Sequence, residues 1–385
     1  MKKVFVAAAA LIALNVEANP VAAGRVRVRE LGVVVGHMTP GKLNAITDVA
    51  GVLVGHVTVS RGEGPHAART GVTSILPHGG DLWNEKVPAA TWVYNGNGEM
   101  TGGLWLNTQG ALDVPLLLTN TMNIPRVADG AVSYMLKRYP AIGKSDDVVI
   151  PVVGECDDST LNDARGRHVT SEDAISAIES AKSGPVAEGS VGAGAGMISY
   201  GFKAGIGTAS RVLSAEDGGW TVGVLVNANV GCCRESLTMA NAPVGKEIGE
   251  LPVKASDGSI IVVVATDAPL DHLKLQRLAS KAAMGLARTG STARHGSGDI
   301  FLAFSTGNRV PHYPKSLTYT MKIVDDDRLN PLFEAAEEST EEAILNALTA
   351  ATTTAGRDGS VAHAIPLDRL REVLKKYPQP PAVKK

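Results

Sequence analysis

The sequence has few aromatic residues, few cysteines and almost no net charge, and each scarcity excludes a class of protein. Aromatic residues make up 4% of the 385 positions, and the formal charge is −2 with both signs mixed. Nothing therefore favours binding to nucleic acid or to an anionic membrane surface. Three cysteines cannot form a full disulfide framework. Without a CxxC spacing or a histidine cluster, we expect no metal.

Long apolar runs are also scarce, and the one unbroken run lies at the N-terminus, at residues 4–14 after Lys2 and Lys3. It is too short to span a membrane. Small residues at 21–23 offer a cleavage site, with 16–18 as a weaker choice, so residues 1–23 are predicted to be a signal peptide. The alternative is a strand or helix of the core. A signal peptide implies a periplasmic or secreted protein without membrane attachment once the signal is removed.

Glycine, by contrast, is abundant, with 42 residues dispersed along the chain. No repeat or low-complexity linker divides the sequence, so residues 24–385 are predicted to form a single α+β domain. Hydrophobic periodicity predicts strands at 71–76, 90–94, 148–153, 220–226, 259–266 and 299–304. It predicts helices at 127–138, 171–181, 271–287, 340–351 and 367–376.

The first candidate site is Asp257-Gly258-Ser259, at the start of the β-branched run 259–266. Asp-Gly is a turn signal, so a turn before a strand is the ordinary explanation. A chemical role is also open, because Gly258 lacks a Cβ and lets a nucleophile reach its carbonyl carbon. Attack by Ser259 and hydrolysis would leave Ser259 with a free α-amine. Such an amine titrates near pH ~8 and can act as a general base.

A second candidate pair is Ser297 and Asp299 in a glycine-rich segment. The two are two positions apart at a strand start, so their side chains share one face. A connection of helical length returns this strand towards Ser259. Asp299 can hold Ser297, and Ser297 can then relay a proton to Ser259 or orient it. A glycine-rich turn with a capping Asp is the ordinary explanation.

Two further candidates lie at strand ends. Asn229 can aim its side-chain amide at a developing oxyanion, with Asn227 on the same face as the competing choice. Ordinary turn chemistry explains a lone asparagine equally well. Glu155 follows the strand 148–153 and can bind the ammonium group of a substrate. Its alternative is a solvated loop carboxylate beside Asp157.

Two other features carry less information. The run Gly192-Ala193-Gly194-Ala195-Gly196 fits no phosphate-loop pattern, so we interpret it as a substrate-facing or tightly packed loop. No serine lies in a GxSxG motif, which argues against an α/β-hydrolase.

Taken together, these motifs resemble the L-aminopeptidase/D-Ala-esterase-amidase and β-peptidyl aminopeptidase family of self-processing enzymes. The resemblance runs from about Thr47 to Pro366. The matching stretches keep one order along the chain: 45–49, 55–56, 95–102, 154–155, 161–163, 205–211, 243–245, 257–262, 265–270 and 296–301.

The resemblance implies a four-layer αββα sandwich, like N-terminal nucleophile hydrolases but with different strand connections. It implies cleavage between Gly258 and Ser259, giving an α-chain (24–258) and a β-chain (259–385). Ser259 would be the nucleophile, supported by Ser297 and Asp299. Asn229 would donate to the oxyanion, and Glu155 would recognise the amine of the substrate. Family members are typically homotetramers, here of αβ heterodimers, and need no cofactor.

The implied activity is that of a serine aminopeptidase. It would release N-terminal residues from short peptides, amides or esters through an acyl-enzyme on Ser259, with L-α, D-α and β-residues all open. One departure is Asp157, where the family often has an aromatic residue; with Asp158 it favours basic or doubly aminated substrates. The alternatives are an acyltransferase of the ornithine acetyltransferase type, whose nucleophile is threonine, and a binding protein that has lost activity.

Overall fold

The structure, a computed structural model, describes residues 20–231, 233–249 and 257–378. Residues 1–19, most of the predicted signal peptide, therefore lie outside the described residues. The strands are β1 (Leu53–Arg61), β2 (Ala68–Leu76), β3 (Glu85–Gly96), β4 (Ala111–Leu112), β5 (Leu116–Asn120), β6 (Val152–Cys156), β7 (Ile198–Ser199), β8 (Phe202–Lys203), β9 (Ile206–Val212), β10 (Thr221–Val230), β11 (Gly258–Thr266), β12 (Gly298–Ser305), β13 (Val310–Pro311), β14 (Thr354–Ala355) and β15 (Val361–Ala362).

The helices are α1 (Gly103–Gln109), α2 (Ile124–Arg138), α3 (Ser171–Glu179), α4 (Val244–Ile248), α5 (His272–Arg288), α6 (Asn330–Ala350) and α7 (Leu367–Lys376). The helix α5 begins after Asp271, whose carboxylate accepts from the backbone N–H of Lys274 at 2.9 Å. This is a standard N-cap, and it satisfies one of the backbone donors left free in the first turn. In the described part of the chain, no helix combines the length and the apolar character that crossing a membrane requires.

Two sheets form the centre of the molecule. The smaller sheet has the order β1-β2-β5-β6, and the larger one has the order β13-β3-β12-β11-β10-β9, with β4 beside β3. In the larger sheet, β11 is antiparallel to β10 and parallel to β12. Parallel neighbours need a crossover, and α5 supplies it between β11 and β12. This is the helix-long return that the sequence predicts.

Three hydrophobic clusters separate four layers. One joins α2 and α3 to the smaller sheet, as Val127 and Ala174 pack with Val72. A second lies between the sheets and contains both Leu118 of the smaller sheet and Ile261 of the larger one. The third joins the outer face of the larger sheet to α5 and α6; its buried members include Val262, Val264, Leu275, Leu278, Ala343, Ile344 and Ala347. The order is therefore helix, sheet, sheet, helix, and the predicted αββα sandwich is confirmed.

The strand β11 is buried on both faces, as its unbroken β-branched sequence predicts. Ile260 and Val262 pack against the helices, whereas Ile261 and Val263 face the other sheet. A strand held on both sides in this way is a rigid support for its first residues.

Several predicted boundaries are wrong, for identifiable reasons. The strand predicted at 148–153 begins at Val152, directly after Pro151, so Glu155 lies inside β6. The strand predicted to end at 226 continues to Val230, which places both candidate asparagines within β10.

The helix α6 also begins earlier than the predicted residue 340, because its acidic first half is buried rather than solvated. Glu338 and Glu342 both accept from the guanidinium of Arg211 at 2.7 Å. Arg211 lies on β9, far away in the sequence, so this pairing was not visible in the local pattern of the helix.

Candidate active site

Ser259 lies at the head of β11, between the strands β10 and β12. It is opposite Asn229 in the antiparallel register and beside Gly298 in the parallel one. Only 4% of Ser259 is exposed, and it lines a cavity of about 960 Å³. A hydroxyl at this position is accessible to a small molecule that enters the cavity and is otherwise shielded from solvent.

The residue before it, Gly258, has a conformation and a position that only glycine fits. Its φ is +80°, in the left-handed region that disfavours residues with a side chain. A Cβ at this position would lie 1.9 Å from the backbone nitrogen of Gly231 and 2.5 Å from the carbonyl oxygen of Asn229. The backbone at Gly258–Ser259 is therefore both unusual and closely packed.

The side-chain amide of Asn229 is fixed beside the hydroxyl of Ser259. Its Nδ2 donates to Ser259 Oγ at 3.3 Å and to the carbonyl oxygen of Asp157 at 2.9 Å. Its Oδ1 accepts from the backbone N–H of Ile198 at 2.9 Å, which sets the direction of the amide. Asn227 is buried, lies outside the cavity wall and has no amide partner among the described residues. The geometry favours Asn229 over Asn227.

Ser297 and Asp299 meet as their spacing predicts, since Ser297 Oγ donates to Asp299 Oδ1 at 2.8 Å. Asp299 is fully buried, and its Oδ2 has no hydrogen-bond partner among the described residues. Burial raises the pKa of Asp299 to about 6, against the lowering effect of the Ser297 hydrogen bond. Within the described residues no hydrogen bond joins Ser297 to Ser259 while the chain is uncleaved.

Two asparagines that sequence reasoning assigned no role hold the segment that carries Ser297. Asn95 donates to the carbonyl oxygens of Ser297 and, at 2.7 Å, of Arg294. Asn97 donates through its side chain to the carbonyl oxygen of Gly296 at 2.7 Å and through its backbone to that of Ser297 at 3.2 Å. Both lie in the stretch 95–102 that resembles the family, and the two asparagines of that stretch were the only sequence feature that could have indicated this role.

Glu155 is a buried carboxylate on the wall of the same cavity, so the solvated-loop alternative is wrong. Only 5% of the residue is exposed. Its Oε1 accepts from the backbone N–H of Glu99 at 2.9 Å, and its Oε2 accepts from the hydroxyl of Thr121. Burial raises the pKa of Glu155, and these two donors oppose the shift. Thr121 is a further residue that the sequence did not reveal.

The two acids that follow have different surroundings. Asp157 lines the cavity and accepts from the backbone N–H and the hydroxyl of Ser159, both at 2.9 Å. Asp158 is buried away from the cavity and accepts from the amides of Asn120 and Asn162 at 2.9 Å. Burial raises the pKa of Asp158 to about 7. Asp157 is thus the acid of this pair that a substrate can reach.

The glycine run 192–196 fits both interpretations made from the sequence. Gly196 lines the cavity. At Gly194, a Cβ would lie 2.4 Å from the backbone nitrogen of Ile206, so this part of the loop is packed tightly against β9. No group of three or more His, Cys, Asp or Glu side chains in the described residues is arranged to hold a metal ion.

The αββα sandwich, with a buried serine and a buried carboxylate on the wall of one cavity, fits a serine aminopeptidase. The chain belongs to peptidase family S58, whose model matches residues 44–362. This is close to the extent of the resemblance seen in the sequence.

Individual relatives agree with this assignment. The chain is 43% identical over 392 residues to the β-peptidyl aminopeptidase BapA of Sphingosinicella microcystinivorans, with 96% of each chain covered. It is similar to the structure of a Burkholderia sp. β-aminopeptidase, with a TM-score of 0.87, 43% identity and coverage of 92% of this chain and 100% of that one.

The structure of the L-aminopeptidase D-Ala-esterase/amidase from Ochrobactrum anthropi is described as a variant of the Ntn hydrolase fold. It matches with a TM-score of 0.84, 42% identity and coverage of 91% of this chain and 98% of that one. The acyltransferase alternative finds no support in these comparisons.

Proposed function

We propose that the chain cleaves itself between Gly258 and Ser259 and then uses Ser259 as the nucleophile of an aminopeptidase. One observation carries the proposal: Ser259 Oγ lies in the cavity, 3.3 Å from the fixed amide of Asn229, directly after a glycine with φ +80°. This places a hydroxyl, a hydrogen-bond donor and the carbonyl group of Gly258 at one point of a rigid strand.

Self-cleavage begins when Ser259 Oγ attacks the carbonyl carbon of Gly258. The peptide C–N bond breaks, the nitrogen of Ser259 gains a proton, and an ester joins Gly258 to the hydroxyl oxygen. Water hydrolyses this ester and leaves a Gly258 carboxylate and a free α-amine on Ser259. The products are the α-chain 24–258 and the β-chain 259–385. The absence of a Cβ on Gly258 keeps its carbonyl carbon accessible.

Turnover of a substrate repeats this chemistry with the new amine as general base. The amine takes the hydroxyl proton as Oγ attacks the first carbonyl carbon of the substrate, and the Asn229 amide donates to the resulting oxyanion. The leaving amine receives the proton, and an acyl-enzyme remains on Ser259. Water then hydrolyses that ester and releases the N-terminal residue.

Ser297 and Asp299 support the α-amine of Ser259. Ser297 lies next to Gly298, the register partner of Ser259, and Asp299 holds its hydroxyl at 2.8 Å. A buried carboxylate near a group that becomes positively charged stabilises the charged form. Asp299 thus stabilises the protonated amine and keeps Ser297 oriented towards it.

In the unchanged protein, the ionisation of Asp299 is expected to raise activity and lower stability as the pH increases. Replacing Asp299 with Asn should remove both pH dependences. Activity requires the ionised carboxylate, so kcat/KM of the processed enzyme rises with pH along an acid limb. That limb lies below about pH 6, the pKa of Asp299 in the uncleaved chain, because the new α-ammonium group favours the ionised carboxylate. Asp299→Asn loses that limb and about 100-fold in kcat/KM. The folded-state pKa lies above the ordinary value of 3.8, so the stability that the protonated group contributes is lost as pH rises from about 4 through 6.

Urea unfolding at several pH values measures the second effect as a difference between the two proteins, which cancels other titrating groups. That difference should change by at most about 3 kcal/mol, because the shift is roughly two pKa units. Asp368→Asn, at an exposed ion pair on α7, is the matched control. An unchanged acid limb in Asp299→Asn contradicts the role given to this carboxylate.

Glu155→Gln is expected to lower kcat/KM about 10- to 100-fold for substrates with a free amine, mainly through KM, because a charge-assisted hydrogen bond is lost. The preference for free over N-acetylated substrates should fall as well. Glu99→Gln removes an equal charge from the same cavity, and among the described residues the Glu99 side chain forms no hydrogen bond with Glu155. It is the control, with a much smaller effect. Equal losses in both variants indicate a general effect of charge.

The proposed substrates are short peptides, amides or esters whose first residue is an L-α-, D-α- or β-amino acid. The names of the Sphingosinicella and Burkholderia relatives favour β-residues. Asp157 on the cavity wall supports a preference for a second positive charge near the cleaved bond. Comparing Lys- and Ala-amides tests that preference, which is absent if the two react equally.

We also propose a periplasmic or secreted enzyme whose signal peptide, residues 1–23, is removed, and a homotetramer of αβ heterodimers. Several apolar side chains stand exposed in one segment and support an interface between copies: Tyr313, Leu317, Tyr319 and Ile323. Light scattering should give four times the mass of one chain. A mass equal to one chain rules out this assembly. Neither nucleic acid nor, after signal removal, a membrane is a partner in this proposal.

A further inference from the structure

The cavity that contains Ser259 also carries positive charge that the proposed reaction does not use. Arg165 and Arg357 both line it. Arg165 lies in the turn Ala164–Gly166. Within the described part of the chain, its side chain forms no hydrogen bond or ion pair. A guanidinium group with these free donors, on the wall of the cavity that contains Ser259, can bind a substrate.

Asp163, the acid closest in sequence to Arg165, pairs with other residues. Asp163 accepts from the backbone N–H of Gly166 at 3.1 Å and contacts His168 Nε2 at 3.1 Å and His66 Nδ1 at 3.4 Å. The turn that Asp163 caps packs against the turn Thr121–Asn123. The turn that carries Arg165 therefore lies next to the turn whose Thr121 hydroxyl donates a hydrogen bond to Glu155.

Arg357 reaches the same wall from a distant part of the chain and is locked there by its backbone. Its N–H donates to the carbonyl oxygen of Leu161 at 2.8 Å. A Cβ on Gly356 would lie 2.4 Å from that same oxygen, which shows how closely this loop is packed. Among the described residues, the guanidinium pairs only with its neighbour Asp358, at 2.9 Å, and both side chains are more than a third exposed. An exposed pair of this kind is weak and leaves the charge free to exchange partners.

We infer that Arg165 and Arg357 form a subsite for the terminal carboxylate of a short peptide, on the leaving-group side of Ser259. The inference rests on the proposed function, in which Glu155 binds the amine and Ser259 attacks between the two ends. Guanidinium groups bind carboxylates through paired, charge-assisted hydrogen bonds. A dipeptide spans about 7 Å at roughly 3.5 Å per residue, and a cavity of about 960 Å³ holds such a molecule whole.

The test compares β-alanyl-L-alanine with its C-terminal amide, and L-alanyl-L-alanine with its amide, on the processed enzyme. The free acids are expected to have at least a tenfold higher kcat/KM than the amides. Arg165→Gln should reduce the acid-to-amide ratio about threefold, mainly through KM of the acid, and Arg165→Gln with Arg357→Gln should remove the preference. Arg165→Lys, which keeps the charge, should restore part of it.

Arg369→Gln is the matched control, because Arg369 is exposed on α7 and lies outside the cavity wall; its ratio should equal that of the unchanged enzyme. Equal kcat/KM for acid and amide in the unchanged enzyme overturns the subsite. A preference that survives the double variant overturns its assignment to these two arginines. Failure of the proposed function has another signature: neither substrate of a pair is cleaved, or cleavage persists in Ser259→Ala. That result overturns the subsite as well.

Discussion

Ser259→Ala is expected to run on a denaturing gel as one full-length chain, whereas the unchanged protein runs as two bands of about two-thirds and one-third of the sequence. The alanine has no oxygen to attack the carbonyl carbon of Gly258, so the bond between the fragments stays intact. Hydrolysis of aminoacyl substrates should fall by roughly 10⁴-fold or more, because both the nucleophile and the α-amine that serves as its base are absent.

Mass spectrometry of the smaller band should give a sequence beginning at Ser259. Ser280→Ala is the matched control, since Ser280 lies on α5 and its hydroxyl, as far as the described chain shows, donates only to the carbonyl oxygen of Arg277 within its own helix. This variant should process and react normally. A melting curve of Ser259→Ala similar to that of the unchanged protein shows that the loss is chemical. An unchanged protein that stays in one piece yet hydrolyses peptides contradicts the mechanism.

Gly258→Ala has the second largest expected effect: processing should stop or become very slow, and the folded state should lose about 2–5 kcal/mol of stability. The new Cβ would meet the backbone nitrogen of Gly231 at 1.9 Å, on a residue whose φ of +80° already disfavours a side chain. The backbone must move, and the carbonyl group of residue 258 then moves away from the hydroxyl of Ser259. Urea unfolding and a time course of cleavage measure the two effects.

Gly143→Ala separates conformational strain from steric overlap. Gly143 has a φ of +70°, close to that of Gly258, but a Cβ there meets no atom of the described residues within 4 Å. The control should lose only about 1–2 kcal/mol and process normally. If Gly258→Ala loses no more stability than Gly143→Ala and still cleaves itself at the normal rate, the close packing at the cleavage bond has no role in processing.

The parts of the site that the sequence predicted share a local cause. The run 259–266 is continuous and β-branched, so its burial on both faces followed from composition alone. The separation of Ser297 and Asp299 by two positions placed them on one face through the strand repeat. The observed hydrogen bond at 2.8 Å agrees with that expectation. The family resemblance then indicated that the segments around Ser259, Ser297 and Asn229, each explicable as an ordinary turn, form one site.

The parts that were missed depend on partners far away in the chain. Three acids at Glu155, Asp157 and Asp158 look alike in sequence, yet the first is buried on the cavity wall, the second is exposed, and the third is buried among amides. The sequence assigned no role to Asn95 or Thr121. Their contacts become visible only when separate loops converge, because a hydrogen bond depends on spatial distance and not on sequence spacing.

The sequence by itself determined the α+β class and the buried strand β11 with a glycine before its first serine, because backbone preference and hydrophobic pattern act over a few neighbouring residues. The four layers and the cleavage at Gly258–Ser259 were implied by the family resemblance. Only the tertiary structure decided what surrounds that bond. Asn229 at 3.3 Å from the hydroxyl, a buried Asp299 with a raised pKa, and Glu155 and Arg165 on one cavity wall come from separate segments. Burial and charge depend on every group packed nearby, so the environment of Ser259 is a property of the assembled fold.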